Sequence, residues 1–224
     1  MKYLIFDAGP IISMTMNGML LVLEKLRENF DGEFILTPQV KKEVVDKPLT
    51  IKRYELEAIQ VQNLIDKNIF KMADKIISGQ KLIKETQNIL KIANGFLRVH
   101  DTKEKIQLIQ EGEASCIAFS RLCNCENVIV IDERTTRLLT EAPDNLEKLM
   151  EKKLHTPLIQ EPSLLKNFKN VKFIRSSELL FVAYKKNLIP LKKDNILLDA
   201  LLYGVKFKGT AISSEEIEEM KRMI

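Results

Sequence analysis

Tyr3-Leu4-Ile5-Phe6-Asp7 and Val128-Ile129-Val130-Ile131-Asp132 are two short apolar runs that each end in an acid, and their reading decides the fold. Unbroken Ile, Val and Phe without polar alternation suit strands buried on both faces of a parallel sheet, whose ligands gather in the crevice beyond the strand C-termini. The two runs therefore predict neighbouring strands that deliver Asp7 and Asp132 to one crevice.

Outward from these runs, strands are expected over residues 33–36, 96–99 and 171–174. Helices are expected between them: an apolar one through Met19, Leu20, Leu23 and Leu26 after a turn at Ala8-Gly9-Pro10, and one opened by Thr37 as N-cap and Pro38 at its first position. That second helix carries Glu43 beside Val40 and Val44. Glu113 sits one turn before Ile117 on a helix of small and apolar residues. Gly204 fits a helix C-cap, and Ser213 to Glu216 a capping box. Strands alternating with helices give an α/β fold, a three-layer α/β/α sandwich around a central parallel sheet. Residues 1–224 are read as one domain with a helical insertion at 46–95 and a second insertion at 141–170.

The chain has 224 residues, 45% of them hydrophobic, which suffices for a substantial core. No run of about 18 apolar residues occurs and Asp7 interrupts the N-terminal apolar stretch, so a cytoplasmic protein without membrane partners is expected. Cys116, Cys123 and Cys125 lack the second ligand pair that zinc requires and are read as free thiols, and His100 and His155 stand alone in sequence. Residues 148–208 hold 13 Lys or Arg against 5 Asp or Glu, so a local +8 sits in a chain of net charge +4. A basic half beside acidic strand ends suits a polyanion partner, although a solvated basic face has the same composition.

Four acids stand where solvation alone would not put them: Asp7 and Asp132 at strand ends, Glu43 and Glu113 on apolar sides of helices. Taken alone, Asp7 also fits a turn or helix cap. Taken together, the four form a set of hard oxygen ligands without His or Cys, which favours Mg²⁺ or Mn²⁺ and phosphodiester hydrolysis.

These residues resemble the PIN domain family of metal-dependent ribonucleases. YLIFDAGPII (3–12) resembles the family's opening strand and acid, TPQVKKEVV (37–45) the helix with its second acid, GEASCIA (112–118) the Gly-Glu helix start, and VIVIDERTTRL (128–138) the fourth strand and acid, with Glu133 in the place of a further acid. Four such motifs in order, over about two thirds of the chain, make a fairly specific signal. The resemblance implies the sheet order 3-2-1-4-5 and Asp7, Glu43, Glu113 and Asp132 as the catalytic and metal-holding residues. It implies endonucleolytic cleavage of RNA by in-line attack, a homodimer, and an antitoxin or regulatory protein as partner. Two positions depart from the family pattern. Gly9 stands where Ser or Asn is common and Ile131 where Ser or Thr is, removing hydrogen bonds that would orient Asp7 and Asp132.

Two other functions compete. A catalytically weak RNA- or protein-binding module would use the basic half alone. A phosphatase with Asp7 as nucleophile needs a second Asp two residues on, where this chain has Gly9.

Overall fold

The computed structural model describes residues 2–168 and 170–224. In chain order the elements of the first half are β1 (Lys2–Phe6), α1 (Ala8–Met16), α2 (Leu20–Glu28), β2 (Glu33–Leu36), α3 (Pro38–Lys41, continued by a π-helical turn, Lys42–Asp46), α4 (Glu55–Asp66), β3 (Phe70–Met72) and α5 (Gly79–Ala93). The second half adds β4 (Leu97–Val99), α6 (Glu111–Leu122), β5 (Glu126–Val130), α7 (Arg134–Glu141), α8 (Pro143–Leu154), β6 (Leu158–Gln160), β7 (Phe173–Ile174), α9 (Ser176–Lys185), α10 (Asn195–Lys206) and α11 (Ser214–Arg222).

The central sheet is parallel throughout, in the order β3-β2-β1-β5-β7. Its β1 and β5 are neighbours in register, Ile5 opposite Ile129 and Phe6 opposite Val130. Alternation along β1 sends Tyr3 and Ile5 to one face, where Tyr3 meets the Phe119 ring of α6 at 5.8 Å. Leu4 and Phe6 go to the other face, where Leu4 shares a cleft with Leu26 of α2 and Leu179 of α9. Helices thus cover both faces, and the buried side chains run as one apolar cluster from Tyr3 to Met220.

The third sheet position differs from expectation. Phe70–Met72 fills it, from within the segment read as a purely helical insertion, because Phe70 extends the aromatic column of Phe6 and Phe34 on the α2/α9 face. Leu97–Val99 is a strand, but it pairs antiparallel with Leu158–Gln160 outside the sheet. The 46–95 segment therefore belongs to the sheet edge, and the 141–170 segment supplies the partner of β4.

Other local readings hold or shift by a turn. Thr37 caps α3 by accepting from Val40 N at 3.2 Å, with Pro38 at the first helical position, and the Ser213–Glu216 capping box forms. Ala8-Gly9-Pro10 is no free turn: α1 starts at once because Asp7 caps it, and Gly18 at φ +68° separates α1 from α2. Gly204 lies inside α10, not at its end, and its missing Cβ admits the Asn17 side chain, whose Nδ2 donates to Gly204 O at 3.3 Å. The three cysteines are free, and among the described residues no helix is long and apolar enough to cross a membrane.

Phe34 is wholly buried, with ring centroids at 4.9 Å from Phe6, 5.8 Å from Phe30 and 6.2 Å from Phe70. Phe34→Ala is expected to destabilise the fold by about 3–5 kcal/mol, measurable as a shift of the urea midpoint at unchanged slope.

Candidate functional site

The sheet's alternation sorts the four acids. Extending the β1–β5 register by one residue sets Asp7 beside Ile131, so Asp132 lies one step further along and in the opposite sense. Asp7 continues the side of Tyr3 and Ile5, which α6 covers, and Thr37 at the end of β2 does the same: its Oγ1 lies 2.6 Å from Ser115 Oγ of α6. Three acids lie within electrostatic reach of one another there. Asp7 is 6% exposed, Glu113 comes from the first turn of α6, and Glu43 comes from the π-helical turn after α3.

Burial pushes the Asp7 carboxyl up to about 7, and the nearby charges of Glu113 and Glu43 add to the effect, while the N–H groups of Ala8 and Gly9 oppose it. Burial also raises Glu43, against hydrogen bonding from the Gly112 N–H and the charge of Lys47. It raises Glu113 too, against bonds from the Thr136 hydroxyl and the Gln110 N–H. Glu113 Oε1 accepts from the Thr136 hydroxyl, and its Oε2 accepts Gln110 N at 2.8 Å, completing a capping box at the start of α6. Gly112 makes the approach of Glu43 feasible. A Cβ there would stand 2.8 Å from Glu43 Oε1 and 2.9 Å from Oε2.

Asp132 parts from this group. Its carboxylate turns to the α9 face and accepts Ser176 N at 2.9 Å, Ser176 Oγ at 2.8 Å and Thr210 Oγ1 at 2.9 Å. Burial raises it, these donors oppose the rise, and Glu178 is the charge that bears on it. The crevice expected to gather Asp7 and Asp132 therefore places both at the sheet's C-terminal edge, with their carboxylates committed to opposite layers. Glu133 is exposed and caps α7 by accepting Arg134 N at 3.0 Å and Thr135 N at 3.2 Å.

The missing hydroxyls at Gly9 and Ile131 are replaced from elsewhere. The Gly9 N–H itself donates to Asp7 Oδ2 at 3.3 Å, and Ser176 with Thr210 orients Asp132. Sequence reasoning missed Thr136, Ser176 and Thr210. Thr136 was within reach as the residue one helical turn after Asp132, and Ser176 as the residue just past the C-terminus of a strand. Thr210, on a loop 78 residues from its partner, carries no local signal.

Asp7, Glu43 and Glu113 offer an all-oxygen donor set of the kind that hard divalent cations take. Among the described residues, however, no group of three or more His, Cys, Asp or Glu stands at metal-holding separation. Comparisons with protein-family models, with curated proteins and with solved structures find no match to this chain.

Because folding raises the Asp7 carboxyl from its ordinary 3.8 to about 7, the folded chain holds that proton longer than the unfolded one. Stability should therefore fall as pH rises through that interval and level off above it. Asp7→Asn removes the titration while an amide still caps α1. In chelator at pH 8 the variant should be more stable than the wild type, and urea unfolding should show the gap closing by pH 4.

Proposed function

We propose that the protein is a metal-dependent endoribonuclease that hydrolyses RNA phosphodiester bonds at the crevice formed by Asp7, Glu43 and Glu113, in the manner of the PIN domain family that its motifs resemble. One observation carries the reading: the buried carboxyl of Asp7, at the C-terminal edge of a parallel sheet, lies within electrostatic reach of two further carboxylates, Glu113 and Glu43, from two other elements. Such an arrangement is unfavourable by itself and becomes favourable with a cation.

These three residues would hold Mg²⁺ or Mn²⁺, which when bound polarises phosphoryl oxygens and acidifies water. The chain's own groups set the orientation: the Gly9 N–H for Asp7, Thr136 and the Gln110 N–H for Glu113, the Gly112 N–H for Glu43. Asp132, fixed by Ser176 and Thr210, adds negative potential at the same edge, and it would become a ligand only by releasing one of those donors. The exposed Arg134, two residues after Asp132, supplies countercharge for a polyanion. Arg175 contributes none, because it is buried in ion pairs with Glu178 and Glu216.

Cleavage of a mixed structured RNA with Mn²⁺, Mg²⁺ or chelator, by wild type and by folded Asp7→Asn, tests the proposal. Cleavage should need the metal, and the variant should lose more than the roughly 10–100-fold that outer-shell changes cost. Cleavage unaffected by chelator or by Asp7→Asn would overturn the reading.

Gly112→Ala provides a second test. The new methyl meets the flexible end of Glu43, so the fold should survive within about 1 kcal/mol, as befits a Gly→Ala change on a helix. Displaced from the group, Glu43 should no longer support Mn²⁺ binding, and calorimetric titration should show weakened affinity at unchanged melting temperature.

The engaged carboxylate of Asp132 favours one alternative, an RNA- or protein-binding module with weak catalysis. That alternative requires RNA retention by Asp7→Asn in chelator together with no cleavage by the wild type.

A further inference from the structure

Beside Glu43 lies a cavity of about 440 Å³ for which the hydrolytic residues have no use. Its size is within the roughly 300–1,000 Å³ of small-molecule sites. Met16 and Val61 contribute apolar wall, and Glu43 stands in its lining, so the cavity adjoins the acidic group.

Its polar residues are unlike those of a packing fault. The Arg53 guanidinium lies 5.5 Å from the centroid of the Tyr54 ring, and both residues are exposed. A guanidinium and an aromatic ring together form a surface on which a flat heterocycle stacks. Lys47, exposed and one helical turn beyond Glu43, brings a cation to the same lining. Glu57 also lines the cavity, and its Oε2 is buried without any hydrogen-bond partner. A buried carboxylate oxygen left unpaired is costly, and a ligand donor would relieve it.

We propose that this cavity is a nucleobase subsite selecting guanine in the RNA strand next to the cleaved bond, an inference that rests on the nuclease reading for its substrate. Tyr54 and Arg53 stack the base, Lys47 faces its phosphate, and Glu57, on turning its unpaired carboxylate from the wall into the cavity, reads its edge. A carboxylate only accepts, and guanine alone among the four bases presents two adjacent donors, N1–H and the N2 amine, on its Watson–Crick edge. Uracil presents one N–H between two carbonyls that a carboxylate repels. Bidentate recognition of this kind separates bases by at least about fivefold.

Two measurements on the full-length chain decide the matter. The first is calorimetric titration with guanosine 5′-monophosphate and uridine 5′-monophosphate. The guanine nucleotide should bind at least about fivefold tighter, Tyr54→Ala should weaken both, and Glu57→Gln, with its melting temperature checked, should abolish the preference. Equal affinities, no binding of either nucleotide, or an unchanged preference in Glu57→Gln would overturn the subsite. The second is sequencing of the ends left by metal-dependent cleavage of a random RNA pool. Cuts concentrated beside guanine in the wild type and dispersed in Glu57→Gln support the subsite. Cuts without base preference overturn it and leave the nuclease reading intact. A pool left whole, with guanine selectivity persisting in the titration, would sink the nuclease reading and keep the subsite as a nucleotide site.

Discussion

The two-residue period of β1 and β5 is the constraint on which the site depends. Parallel neighbours in register bring Phe6 opposite Val130, so the acids that follow them fall one residue out of step. Asp7 is then committed to the layer of α6, and Asp132 to the layer of α9. From that single offset follow the company each carboxylate keeps, Glu113 and Glu43 for one and Ser176 with Thr210 for the other. A shift of register by one residue would turn both carboxylates to the same layer and leave one strand's apolar side facing the wrong one.

The Asp132 side is also where the C-terminal part of the chain is tied down. Arg175, 9% exposed, donates from Nη1 to Ala211 O at 3.0 Å and to Glu216 Oε1 at 2.7 Å, and Ala211 N donates to Asp132 O at 3.1 Å. The segment before α11 is thereby held against the sheet edge, which places Thr210 within reach of Asp132. Only the guanidinium of this set is buried, its carboxylate partners Glu178 and Glu216 being partly exposed, so its role is to fix geometry more than to add stability.

Much of this was legible in the sequence because the signals are local. Continuous Ile, Val and Phe marked β1 and β5, Thr37-Pro38 marked the start of α3, and the four acids fell on the elements that carry them. What escaped depended on partners far away in sequence. Phe-Lys-Met at 70–72 is too short to outweigh the helical spacing around it, and it becomes a strand only because Phe34 offers a parallel neighbour and an aromatic contact. Residues 97–99 have strand character in either sheet, and nothing in them selects Leu158–Gln160 over β2. Gly204 looked like a helix end because glycine often is one, whereas here it yields space to Asn17. The division of Asp132 from the other acids needed the register itself.

The acidic group and the helix ends share their residues, and this bears on how the site can persist. Asp7 caps α1, Glu113 completes the capping box of α6, and Glu133 caps α7. Each acid therefore has a stabilising backbone role that offsets part of the repulsion at the sheet edge. Capping accounts for why the chain tolerates these carboxylates. Glu43 comes from another element, yet it too accepts an N–H from the first turn of α6, that of Gly112, whose missing side chain admits it. Helix-end donors thus offset part of the repulsion for Asp7, Glu113 and Glu43 alike, and burial still holds each carboxyl above its ordinary value, the residual cost that a bound cation would offset.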